Sequence, residues 1–126
     1  MAFILHHRLV DSAAARHTAF VLHGALGSGQ NFSRFVQRLA RERPEYRYVL
    51  VDLRHHGQSS GAPPPNTLAA CAGDLAALAE ALGAAPRVVI GHSFGGKVAL
   101  EYGRQGARDL EQIWVLDSLP GARDEL

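Results

Sequence analysis

Val88-Val89-Ile90-Gly91-His92-Ser93-Phe94-Gly95-Gly96-Lys97-Val98-Ala99-Leu100-Glu101-Tyr102 is the stretch that decides how the rest of the chain is read. An apolar run, Arg87-Val88-Val89-Ile90, leads in, and a small-residue helical pattern from Gly96 leads out. Between them stands Gly-x-Ser-x-Gly, residues 91–95, in the strand-to-helix context of a nucleophile elbow. On such an elbow the serine rides a tight turn in a strained backbone conformation, and its hydroxyl stands clear of the chain. The flanking glycines are required where a β-carbon would strike the neighbouring strand or helix. Taken alone, the five residues also fit an ordinary turn that happens to hold a serine.

Upstream, Thr18-Ala19-Phe20-Val21-Leu22 is a short apolar run closed by His23-Gly24, the pattern of a strand buried on both faces. A glycine-rich loop, Gly24-Ala25-Leu26-Gly27-Ser28-Gly29, follows it. It lacks both Gly-Lys-Ser/Thr and the Gly-x-Gly-x-x-Gly spacing of phosphate-binding loops. Phe32, Phe35, Val36 and Leu39 then recur at helical spacing until Pro44. Residues 46–53 read as the next strand and 54–61 as its exit loop. After Pro63-Pro64-Pro65, Asn66 or Thr67 caps a helix over 67–82, and Gly83 stops it. Gln112-Ile113-Trp114-Val115-Leu116-Asp117 is a last strand, and residues 3–10 are a short extended segment. Alternating strands and helices predict an α/β fold. Its sheet is mostly parallel, with right-handed crossover helices on both faces.

Composition narrows the function. A 47% hydrophobic content suits a globular core, and 126 residues favour one domain. A net charge of +1 without a basic block gives no footprint for nucleic acid. No apolar run is long enough to span a bilayer. The single cysteine, Cys71, excludes an intramolecular disulfide framework and a multi-thiolate metal site. It fits a reducing compartment, and a cytoplasmic location is the expectation. Arg123-Asp124-Glu125-Leu126 looks like an ER-retrieval tail, but the N-terminus lacks a signal-peptide core, so this ending is read as coincidence.

In an open parallel sheet, sites form where the strands' C-terminal ends deliver their loops. Four such loops resemble those of the α/β-hydrolase family: His23-Gly24-Ala25-Leu26-Gly27-Ser28, residues 52–59 (Asp-x-Arg-x-His-Gly-x-Ser), the elbow, and Leu116-Asp117-Ser118. The elbow is similar to that of the small abhydrolase-domain esterases. The likeness covers residues 18–121, as core motifs of a single, incomplete domain spanning 1–126. It implies cofactor-free and metal-free cleavage of a small-molecule carboxylic ester or thioester through an acyl-enzyme at Ser93. It further implies that the N–H groups of Phe94 and Leu26 hold the oxyanion, that Gly24 lets the loop approach closely, and that His23 supports that loop. The acid is Asp117 by the same likeness, with a loop-capping role as the alternative and Asp52 as second candidate. Haloperoxidase or carbon–carbon hydrolase chemistry shares the elbow.

In this family the order is serine, acid, histidine. The histidines are His6, His7, His17, His23, His55, His56 and His92, all before Ser93. The expectation is an N-terminal portion of an esterase, ended early and nearly inactive by itself. The competing expectation is a non-catalytic fragment that binds an acyl ligand or a protein partner. Family strand order runs from the strand at 46–53 at one side, through the first central strand and the elbow strand, to the strand at 113–116, and it places the helix at 31–43 on one face and the helices at 67–82 and 95–104 on the other. That leaves one face bare over the elbow strand and the last strand. The last strand becomes an apolar edge containing Trp114, a surface for self-association.

Overall fold

The chain is seen in a computed structural model that describes residues 3–24 and 33–116. Five strands, β1 (His7–Val10), β2 (His17–Leu22), β3 (Tyr46–Val51), β4 (Val88–His92) and β5 (Gln112–Leu116), form one sheet in the order β1-β3-β2-β4-β5. Strands β3, β2, β4 and β5 are mutually parallel. The crossovers are α1 (Ser33–Glu42), α2 (Leu68–Leu82) and α3 (Phe94–Arg104).

Side-chain alternation divides the core into two layers. Phe20, Leu22, Val49, Val51 and Val89 pack with Cys71, Leu75 and Leu78 of α2 and Val98, Ala99 and Tyr102 of α3. Ala19, Val21, Tyr48, Leu50, Val88 and Ile90 face Val36 of α1. Helix α1 therefore lies on one face, and α2 and α3 on the other, as crossovers of one hand require for this strand order. Strand β2 is covered on both sides, which is why it reads as an unbroken apolar run, whereas β4 is covered by α3 on one side. Capping follows the sequence too. Thr67 Oγ1 accepts the Ala70 N–H at 3.1 Å, and Gly83 ends α2 at φ 66°.

The expected order placed residues 46–53 at the sheet's margin. Instead β1 lies outside β3, antiparallel to it, with His7 opposite Val51. The connection over residues 11–16 is too short for a parallel crossover, so the chain must reverse. Leu5 is buried beside this edge, and the Asp52 N–H donates to the His6 carbonyl at 2.9 Å.

Among the described residues, β5 forms the other margin with no strand outside it. Trp114, Val115 and Leu116 of β5 are 57%, 47% and 36% exposed. Trp114 and Leu116 line a groove of about 370 Å³ on the α1 face, together with Phe35, Leu39 and Ile90. This is the bare face expected from the strand order. Among the described residues, no helix is long and apolar enough to cross a membrane.

Candidate active site

Strand β4 ends at His92 and α3 begins at Phe94, so Ser93 alone makes the turn. It does so at φ 53°, ψ −113°, a conformation that costs a non-glycine residue about 1–3 kcal/mol. The surroundings hold it there. The Ser93 N–H donates to the Leu116 carbonyl at 2.8 Å, which ties the elbow to β5. The Ser93 carbonyl accepts from the N–H groups of Gly96 at 2.9 Å and Lys97 at 3.3 Å. The serine itself is exposed.

The two motif glycines have separate steric reasons. A β-carbon on Gly91 would lie 2.4 Å from the Gly95 carbonyl oxygen and 2.7 Å from the Gly96 nitrogen, inside the first turn of α3. One on Gly95 would lie 2.5 Å from the His23 oxygen and 2.7 Å from the Leu22 oxygen, at the end of β2. Helix, elbow and neighbouring strand meet here at backbone distance. Phe94 is the first residue of α3. Its N–H has no acceptor within the helix and stands at the positive end of the helix dipole.

Gly24 stands against this elbow. Its β-carbon position is 3.2 Å from His92 Nδ1 and 3.6 Å from Ser93 Cβ. The preceding residue, His23, is fully buried. Its Nε2 accepts the Leu53 N–H at 2.9 Å, and its Nδ1 lies 2.5 Å from the Gly24 carbonyl oxygen. Burial pushes its pKa below 6.5. The Gly24 bond opposes that shift, the neighbouring His56 adds to it, and Asp52 opposes it.

Asp52 is buried at the exit of β3 and organises its own loop. Its Oδ2 accepts the Gln58 N–H and meets His6 Nδ1, each at 3.0 Å. A β-carbon on Gly57, at φ 52°, would sit 2.3 Å from that oxygen. His56 also holds the loop, with its Nδ1 donating to the Arg54 carbonyl at 2.9 Å. Arg54 reaches beyond its own loop. It grips both carboxylate oxygens of Asp74 on α2, at 2.7 and 2.9 Å, and donates to the Pro63 and Pro65 carbonyls. A carboxylate at Asp74, one residue before Leu75 on the buried stripe of α2, was a signal for this pair that local reading passed over.

Ser93, Phe94, Gly24 and His23 are thus brought together. Leu26 and Asp117, the other expected site residues, lie outside the described residues.

A family model described as alpha/beta hydrolase fold matches residues 20–118. A mouse protein named sn-1-specific diacylglycerol lipase ABHD11 is 34% identical over 116 residues, covering 92% of this chain and 37% of its own length. Lipase LipV of Mycobacterium tuberculosis is 37% identical over 127 residues, covering 98% of this chain and 46% of its own. Among solved structures, a marine microorganism esterase superposes with a TM-score of 0.79 at 23% identity, over 98% of this chain and 48% of that one. The chain spans less than half the length of each of these relatives.

Proposed function

The chain belongs to the alpha/beta hydrolase fold family, and from that premise we propose a serine hydrolase of small-molecule carboxylic esters or thioesters. The observation that carries this reading is Ser93, held exposed in a strained turn at the head of a helix, with Gly24 packed against it. In the proposed reaction Ser93 Oγ attacks the acyl carbonyl carbon. The bond to the alcohol or thiol breaks, that group leaves with a proton, and water then releases the acyl group from Ser93. The N–H groups of Phe94 and Leu26 are the proposed oxyanion donors, each worth about 2.7–4 kcal/mol by analogy with mutated oxyanion holes. Asp117 is the proposed acid. It would orient a histidine that none of the seven in these 126 residues provides in the family's chain order. The two relatives named as lipases support ester chemistry over the haloperoxidase and carbon–carbon hydrolase alternatives.

Without the base, the 126-residue chain, read as a single incomplete domain, is expected to be nearly inactive. An oxyanion site alone retains about 10³–10⁴-fold catalysis over water. The test is labelling with a fluorophosphonate probe, with free imidazole added to stand in for the base. Slow labelling at Ser93, faster with imidazole and abolished by Ser93→Ala, is the expected result. An unreactive Ser93 under both conditions overturns the reading and favours a non-catalytic chain that binds an acyl ligand or a partner.

The exposed strand β5 supports a second reading, self-association. Among the described residues no strand pairs with its outer edge, which carries the exposed Trp114, Val115 and Leu116. Sedimentation is expected to show concentration-dependent association, reversed by Trp114→Lys. A monodisperse monomer of the unsubstituted chain excludes it.

A further inference from the structure

Away from the elbow, the chain entering β1 meets the exit of β3 at a carboxylate and an imidazole. Asp52 Oδ2 lies 3.0 Å from His6 Nδ1. The Asp52 side chain is 9% exposed and that of His6 40%, so a shielded carboxylate holds a ring that reaches solvent. An ionised carboxylate only accepts, so the contact places a proton on His6 Nδ1. In the neutral ring the lone pair is then on Nε2, the nitrogen turned away from Asp52.

Both partners are fixed by their backbones. The Asp52 N–H donates to the His6 carbonyl at 2.9 Å, and the His6 N–H donates to Ser59 Oγ at 2.8 Å. The Ser59 hydroxyl donates in turn to the Asp52 carbonyl at 2.6 Å, and the Gln58 N–H donates to Asp52 Oδ2 at 3.0 Å. The ring is therefore held in one orientation before any reagent arrives. The next residue, His7, is a built-in comparison. Its Nδ1 lies 2.9 Å from the Leu5 carbonyl oxygen, so it too carries its proton on Nδ1 and its lone pair on Nε2. The two rings differ in what stands behind Nδ1, a charged carboxylate for His6 and a neutral carbonyl for His7. When Nε2 bonds to an acyl carbon, positive charge develops on the ring. Of the two, His6 has an anion to face that charge.

We propose that Asp52 and His6 form a second nucleophilic centre, one that accepts acyl groups from activated esters at His6 Nε2 without Ser93. Asp52 directly follows β3, which stands two strand spacings from β4. At about 4.8 Å each, that is roughly 10 Å, outside hydrogen-bond reach of the elbow. The pair is thus distinct from the base that Ser93 lacks. In the first step the Nε2 lone pair forms a bond to the acyl carbon, and the leaving group departs with the electrons of its own bond. Water then attacks the acyl carbon, the carbon–nitrogen bond breaks, and the carboxylic acid and the original ring are released, with one proton passing to solvent. Esters of phenols are the substrate class, because an imidazole displaces a phenolate readily and an alkoxide poorly.

The test is modification of the 126-residue chain by diethyl pyrocarbonate, which transfers an ethoxycarbonyl group to an imidazole nitrogen. Fragment-ion mass spectrometry separates His6 from His7. His6 is expected to react about tenfold faster than His7, and Asp52→Asn to bring His6 down to the rate of His7. A His6 that reacts no faster than His7 overturns the proposal without recourse to any variant. So does a folded Asp52→Asn chain in which His6 keeps its lead. The acyl step itself is read with p-nitrophenyl acetate, after the chain has been treated with the fluorophosphonate probe. His6→Gln is expected to slow the remaining p-nitrophenol release about tenfold. Equal release from the two folded chains overturns the proposal, and if His6→Gln does not fold, the diethyl pyrocarbonate rates decide. The outcome is separable from the serine-hydrolase reading. An unreactive Ser93 beside a reactive His6 removes that reading alone, and a labelled Ser93 beside a sluggish His6 removes this proposal alone.

Discussion

Alanine at Gly95 is expected to destabilise the protein by about 3 kcal/mol or more. The added methyl group would lie 2.5 Å from the His23 oxygen, 2.7 Å from the Leu22 oxygen and 2.9 Å from the Leu22 carbon. All three are backbone atoms at the end of a central strand buried on both faces, so no side chain can rotate aside to make room. Relief would require α3 to move away from β2, and Ser93 would lose the turn that presents it. Gly73 is the control. It lies on the exposed side of α2, and its β-carbon position meets nothing within 4 Å. Gly73→Ala is expected to stabilise by about 0.5–1 kcal/mol through helix propensity. Urea unfolding of the two variants should give midpoints on opposite sides of that of the unsubstituted chain. Similar midpoints for both would mean that the elbow and β2 are not at backbone distance.

Removal of Arg54 is expected to cost about 3–5 kcal/mol, the usual penalty for leaving the partner of a buried ion pair uncompensated. The two side chains are only 7% and 11% exposed, and the guanidinium grips both oxygens of Asp74. Arg54 also donates to the Pro63 and Pro65 carbonyls and to Asn66 Oδ1, so the segment leading to α2 loses its anchor as well. Desolvation makes such a pair cheap to replace but costly to halve. Arg54→Met should therefore unfold at markedly lower denaturant, and Arg54→Met with Asp74→Leu should regain part of the loss. A double variant no better than the single would show that the carbonyl contacts, rather than the ion pair, hold the loop.

Much of this protein was legible because its signals are local. The unbroken apolar run at 19–22 announces a strand buried on both faces, since only helices on both sides of a sheet dry two faces at once. Thr67 and Gly83 mark the ends of α2 because an N-cap acceptor and a left-handed residue are requirements of the helix terminus itself. The elbow was legible for the same reason. Gly91 and Gly95 are set by the turn and by the strand beside it, so spacing alone points to Ser93.

What only the tertiary structure decided depends on loops meeting across long separations. No period in residues 3–10 says that β1 pairs antiparallel with β3, because a short extended segment takes whichever edge the connection can reach. Arg54 reads as a loop residue until α2 brings Asp74 beneath it. His23 reads as a motif histidine until Leu53, 30 residues away, supplies the N–H that assigns its tautomer. The sequence by itself determined which serine stands on the elbow. The folded chain decided which groups the His23 ring meets, because the partners of a buried imidazole are chosen by which backbone groups the sheet brings within hydrogen-bond reach.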